Sequence, residues 1–235
     1  MAEEAATYLR TQGPDLTWVY LQYTDDMGHR HGRSPQLDTA IQKADAQVGL
    51  IWQAIQHRQQ MGEDWQLWVT TDHGRKEPDG KDHGSQSDAE REVWIASNSS
   101  GLNAHFSAGK ATQVDLLPSF FRFFNLVVPE HQERELDGVP LTGPLSLSNL
   151  ALIGKGKKQL LTWTTGMQSE ILSVYWSPTD HFATGGHDEY YLLGEVPSDA
   201  KQYPLPQKFG KRAFFKVLVV GKYNSANTWR ASGKK

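Results

Sequence analysis

Near residue 145 the chain changes its hydropathy period, and that switch limits what it can fold into. Upstream, Leu37, Ile41, Ala44, Val48, Ile51 and Ile55 advance in steps of four and three. They form one apolar stripe of an amphipathic helix. Ser34-Pro35 opens that helix, with proline in the first turn, where its missing N–H costs nothing. Residues 3–12 read as a shorter helix stopped by Gly13-Pro14. Residues 111–124 read as a third, with Val114, Leu117, Phe120, Phe121 and Phe124 at helical spacing. Three apolar runs between the helices, at 17–23, 65–71 and 92–96, are expected as buried strands. This order is the rhythm of an α/β domain, a doubly wound sheet with helices on both faces.

Past Leu136-Asp137-Gly138-Val139-Pro140 the helical period disappears. Short strand-like runs follow at 159–164, 171–177, 190–196, 213–223 and 228–231, separated by Gly, Pro, Asp and Ser. Leu172, Val174 and Trp176 alternate with polar residues, as do Phe215, Val217 and Val219. Regular short strands of this kind predict an all-β sandwich. Leu161-Thr162-Trp163 and Val174-Tyr175-Trp176 are expected as its paired core strands. Two domains follow, residues 1–146 and 150–235, with the junction at 145–150.

With 235 residues, either part can bury a core. The net charge is −3 and no basic stripe is present, so nothing points to nucleic-acid binding. No apolar stretch is long enough to cross a bilayer, and the first residues do not read as a signal peptide. The chain has no cysteine, which excludes disulfides and thiolate metal sites. Any metal must be held by imidazole and carboxylate, the donor set of hydrolytic zinc sites.

Such donors sit where two expected strands stop. Leu67-Trp68-Val69 runs through two threonines into Asp72-His73-Gly74, and Asp82-His83-Gly84 follows within one polar loop. Upstream, the run at 17–23 is followed by Asp25-Asp26-Met27-Gly28-His29-Arg30-His31-Gly32. Open parallel sheets bind ligands beyond the carboxyl ends of their strands. The candidate ligands are therefore Asp25, His29, Asp72, His73 and His83, with Asp25 and His29 converging across a loop that Gly28 allows to turn. Five ligand residues suffice for two neighbouring metal positions, the clamp used for displacement at phosphorus. A lone Asp-His pair is usually only solvated, but repetition at successive strand ends argues against that. Asp26 is expected to be exposed or to lie behind the ligands, and His31 to face solvent or cap the helix that begins near Ser34. His57, His105 and His131 sit alone in polar context. Asp115 is expected to cap or hydrogen-bond its helix, and His181 and His187 are weaker metal candidates in a β-domain turn.

In these motifs the sequence resembles the alkaline phosphatase superfamily, above all its type I phosphodiesterase/nucleotide pyrophosphatase branch. Glu90-Arg91-Glu92, Val114-Asp115-Leu116-Leu117-Pro118-Ser119 and Leu136-Asp137-Gly138 extend the likeness over roughly the first three-fifths of the chain. The resemblance implies that Asp25, His29 and His83 hold one zinc and Asp72 and His73 the other. The implied activity is hydrolysis of phosphodiester, pyrophosphate or phosphomonoester bonds in a small phosphate ester or nucleotide. Related phosphonate- or sulfate-ester hydrolases and phosphomutases share the motifs. In the family, a Thr or Ser nucleophile and a further Asp lie well before the first matching motif. Neither Thr24 nor Thr71 stands at that position. The expectation is a C-terminal part of such an enzyme, inactive alone and retaining one zinc. Trp18, Tyr20 and Trp68 would then be exposed where the missing segment packs. A non-catalytic remnant is the rival class. The family implies a periplasmic or secreted location. The tail resembles a fibronectin type III-like sandwich, acting as a spacer or binding carbohydrate through Tyr190, Tyr191 and Trp229.

Overall fold

The structure, a computed structural model, describes residues 1–156 and 158–231. Its contacts group into two units, Met1–Ser99 and Ser100–Lys235. Among the described residues no helix is long and apolar enough to cross a membrane.

The first unit begins with helices α1 (Ala2–Gln12), α2 (Tyr23–His31) and α3 (Pro35–Gln60). β1 (Trp68–Thr70), α4 (Asp88–Arg91) and β2 (Ile95–Ser97) follow. α3 starts as its sequence directs, with Ser34 Oγ accepting the Leu37 N–H at 3.3 Å. Leu9 from α1 and Ile51, Ala54 and Ile55 from α3 form the buried core, with Val19, Trp65 and Leu67 packed on it. Along the α3 stripe Ile51 and Ile55 are buried and Leu37, Ala44 and Val48 half-buried, while Ile41 remains 52% exposed; both α1 and α2 pack on this helix.

Two strand expectations are corrected here. Residues 17–21 are extended, but among the described residues no strand pairs with them, and without a ladder they are not a sheet strand. Their outward side chains Trp18 and Tyr20 are exposed, as anticipated, whereas Trp68 is half-buried. The segment carrying Asp25 and His29 is not a loop but the helix α2. Asp25 and Asp26 lie in its first turn and His29 to His31 in its last, which complements the helix dipole at both ends. The sheet of this unit is a two-stranded antiparallel pair, with Trp68 opposite Ser97 and Thr70 opposite Ile95, in place of the parallel set.

The second unit carries α5 (Ala104–Ser107), α6 (Leu116–Phe123) and α7 (Glu130–Glu133). Strands β3 (Leu147–Lys155), β4 (Lys158–Thr165), β5 (Ile171–Ser177), β6 (Tyr191–Pro197), β7 (Gln202–Pro204), β8 (Phe214–Val220) and β9 (Ser225–Ala231) follow. They form two antiparallel sheets, ordered β3-β4-β7 and β6-β5-β8-β9. Leu161 and Trp163 of one sheet meet Leu172, Val174, Phe215 and Val217 of the other in a continuous core. β4 and β5 thus face each other from different sheets and are not paired; β7 and the start of β3, too short or too polar to signal strands, complete the three-stranded sheet.

Residues 100–146 pack on this sandwich, so the compact division falls after Ser99 although the strands begin at Leu147. Asp115 closes the entry to α6 by accepting the Thr112 N–H (2.7 Å), the Thr112 hydroxyl (2.9 Å) and the Val139 N–H (2.7 Å). His105 does not stand alone: it is buried with Nε2 3.2 Å from Asp115 Oδ2. The His131 ring likewise lies 4.2 Å from that of His187. The residues after α7 cover the outer face of the four-stranded sheet. Asn227 Nδ2 donates to the carbonyls of Arg134 (3.2 Å) and Leu136 (2.9 Å). Lys216 Nζ meets Glu135 at 2.6 Å and both Asp180 and Asp188 at 2.8 Å. Burial works against charge on Asp188, but hydrogen bonds from Lys216, Thr179, His181 and Phe182 outweigh it and hold that carboxyl well below the usual range. Burial also disfavours the Lys216 ammonium, and its three carboxylates reverse that and raise its pKa. Tyr190 donates to Glu135 at 2.8 Å, so it is not an open aromatic for carbohydrate; Tyr191 and Trp229 are exposed.

Candidate metal centre

Helical geometry does for Asp25 and His29 what a loop was expected to do. Residues four apart lie on one face of a helix, and His29 Nε2 is 3.4 Å from Asp25 Oδ2. β1 ends at Thr70 and delivers Asp72 and His73 just beyond it. The chain then loops through 75–87 and returns His83 to the same place. His83 Nε2 lies 3.0 Å from His29 Nε2 and 3.6 Å from Asp25 Oδ1. One donor atom from each of Asp25, His29 and His83 falls within 4.8 Å of the others.

The other two candidates adjoin this triad. The His73 ring stacks on His83 with centroids 3.8 Å apart, and its Nε2 is 3.9 Å from Asp25 Oδ1 and 3.7 Å from Asp72 Oδ2. Asp25 Oδ1 therefore faces the Nε2 atoms of both stacked imidazoles. His73 Nδ1 is 2.8 Å from the Gly74 carbonyl, which can only accept. Nδ1 therefore donates to that carbonyl, which turns the ring so that Nε2 faces the carboxylates, the orientation needed to bind a metal through Nε2.

The donor set fits a zinc-like ion. Bond lengths of about 2.0–2.1 Å in a tetrahedron separate neighbouring ligand atoms by about 3.3 Å. His29 Nε2 lies 3.0 Å from His83 Nε2 and 3.4 Å from Asp25 Oδ2, either side of that value, while His83 Nε2 approaches the other carboxylate oxygen, Oδ1, at 3.6 Å. Accessibility also suits a site that meets solutes: Asp25 is mostly covered, at 25%, while His29 and His83 are exposed and Asp72 is 60% exposed. Asp26 and His31 take no part; Asp26 is exposed and accepts from Gln22 at 3.3 Å.

Three contributors carried little signal in the sequence. Asp82 lies 3.9 Å from His29 Nδ1. Arg75, next to Gly74, reaches back to α2 and donates to Asp25 Oδ1 at 2.5 Å and to the Asp25 carbonyl at 2.9 Å. Glu90 collects the Ser85 N–H (3.0 Å), the Ser87 N–H (3.0 Å) and both serine hydroxyls, pinning the loop just after His83-Gly84. Those hydrogen bonds, Ser85 first and Ser87 next, bring the Glu90 carboxyl down to about 2. Gly74 permits the same junction: its N–H bonds the Glu90 carbonyl at 2.8 Å, and a Cβ there would run into the Ala89 carbonyl. A Ser-x-x-Glu capping box was present to be read at 87–90; a lone arginine after a strand offers nothing comparable.

Carboxylates and imidazoles gathered in this way are the donor types used by hydrolytic metal centres. Residues 1–116 match the model of the family described as type I phosphodiesterase / nucleotide pyrophosphatase. The matched segment contains all five candidate ligands and supports phosphoester hydrolysis as the chemistry of this region. No curated protein and no solved structure matches the chain.

Proposed function

We propose that the first unit carries a two-zinc phosphoester hydrolase centre, acting on a phosphodiester or pyrophosphate of a small phosphate ester or nucleotide. Asp25, His29 and His83 would hold one ion, and Asp72 and His73 the second. The observation that carries this is the convergence of Asp25, His29 and His83, from a helix and a distant loop, at ligand–ligand spacing. Bound there, divalent zinc supplies Lewis-acid polarisation of the phosphoryl oxygens. The chain's own residues would present imidazole nitrogens and the shared Asp25 carboxylate to the ions. Thr24 and Thr71 stand outside the family's nucleophile position, so no nucleophile is assigned within this chain.

Zinc titration of the purified chain tests the metal assignment. Wild type is expected to take up one zinc tightly and a second weakly. His29→Ala and His83→Ala are each expected to lose the tight site, since two remaining ligands fall below the three of a catalytic-type site. Equal zinc in wild type and His29→Ala would refute the assignment.

The tail's seven strands, in sheets of three and four ordered β3-β4-β7 and β6-β5-β8-β9, support a fibronectin type III-like assignment. Its role is proposed as a packing or spacer module.

A further inference from the structure

The triad depends on a carboxylate that keeps Oδ2 toward His29 and Oδ1 toward His83 without swinging away. Asp25 is only a quarter exposed, and its Oδ1 is engaged by the Arg75 guanidinium at 2.5 Å. The same Arg75 Nη2 holds the Asp25 backbone carbonyl at 2.9 Å, and Nη1 reaches the Gly80 carbonyl at 3.2 Å. Arg75 is itself largely buried, at 15% exposure. It thus ties together three pieces of chain: the first turn of α2, the end of β1 and the loop that leads to His83.

The guanidinium reaches Asp25 through a gap in α2 that exists because residue 28 is glycine. A Cβ built on Gly28 would fall well inside 3.0 Å of the guanidinium carbon and nitrogens of Arg75. Gly28 is buried in the middle of a nine-residue helix, a position where glycine weakens the helix relative to alanine. Its φ is not in the left-handed region, so no backbone conformation demands glycine there. The space is what the glycine provides.

We infer that Arg75, seated in the Gly28 gap, is a positioning residue for the metal centre: it locks Asp25 so that Oδ2 faces His29 and the loop returns His83. The inference rests on the proposed metal role of Asp25, His29 and His83. It goes beyond that role by giving the centre a preformed carboxylate and a glycine whose function is spatial. Outer hydrogen bonds of this kind typically change metal affinity by about 10- to 100-fold.

The test is zinc titration of the full chain as wild type, Arg75→Met, Arg75→Lys, Gly28→Ala and the double variant Gly28→Ala/Arg75→Met. Arg75→Met is expected to weaken the tight zinc site by about 10- to 100-fold. Arg75→Lys should recover part of the loss, since a lysine keeps the charge but not the forked contact. Gly28→Ala should weaken zinc similarly while raising the thermal midpoint, because alanine is the better helix residue and only a flexible side-chain end must move. The double variant should be no weaker than the worse single variant, since both remove one contact. In the metal-free chain, Arg75→Met should shift the imidazole resonances of His29 and His83. Zinc binding unchanged or tightened in Arg75→Met would overturn the inference, the latter showing a guanidinium that competes with the ion. Full additivity in the double variant would also overturn it. Wild type that binds no zinc would instead refute the metal role, and unmoved imidazole resonances would then refute the positioning role separately.

Discussion

Replacing Lys216 by methionine isolates the polar network that fastens the residues after α7 to the sandwich. The change keeps the apolar stem and deletes one ammonium that serves three carboxylates. Asp180 is 47% exposed, so its pair with Lys216 is worth about 0–1 kcal/mol. Asp188 is fully buried and Glu135 is 7% exposed, and leaving a buried charge without its partner costs about 3–5 kcal/mol. Asp188 keeps its hydrogen bonds from Thr179, His181 and Phe182, and Glu135 keeps that from Tyr190, which moves the cost to the low end. A loss of about 3 kcal/mol is expected, or roughly 6–12 °C in Tm. Urea unfolding of the full chain reports it, with the buried Trp163 as a fluorescence probe. The Asp188 carboxyl is depressed on folding, so its contribution is present above its unfolded value of 3.8 and fades as pH falls through the folded one. The Lys216 pKa is raised, so its contribution is present below 10.5 and fades as pH rises through the folded value. The gap between wild type and Lys216→Met should therefore be widest between those limits and narrow outside them. A loss below about 1 kcal/mol at neutral pH would refute the reasoning, because surface pairs alone account for that much.

Glu90→Ala should free the loop after His83, since four donors on Ser85 and Ser87 lose their acceptor; limited proteolysis is expected to cut at 84–87 several-fold faster, and an unchanged rate would show the loop is held otherwise. Phe209→Ala removes a fully buried ring packed edge-on against Phe215 (4.9 Å) and Trp176 (5.1 Å). It should cost about 3–5 kcal/mol in urea unfolding.

The candidate ligands stand out in the sequence itself, because a chain without cysteine leaves carboxylate and imidazole as its metal donors and these recur in three nearby motifs. Helix α3 was legible from its own period and cap, and the switch to a sandwich from the loss of that period. The local form of the Asp25–His29 segment was not. An apolar run such as 17–21 forms a strand only if a neighbour supplies a ladder, and a sequence does not state its neighbours. Asp25 and His29 are four residues apart in either form, so the pair was found although its scaffold was mistaken. The Arg75–Gly28 fit, the Glu90 tether and the Lys216 network join residues from 3 to 81 positions apart in the chain. Such contacts come from folding the backbone back on itself. Chain composition and periodicity thus determined which residues can bind a metal and which segments can pack; which side chains meet, and which oxygen of Asp25 is left for His29, only the tertiary structure decided, because those distances belong to separate elements brought together by burial.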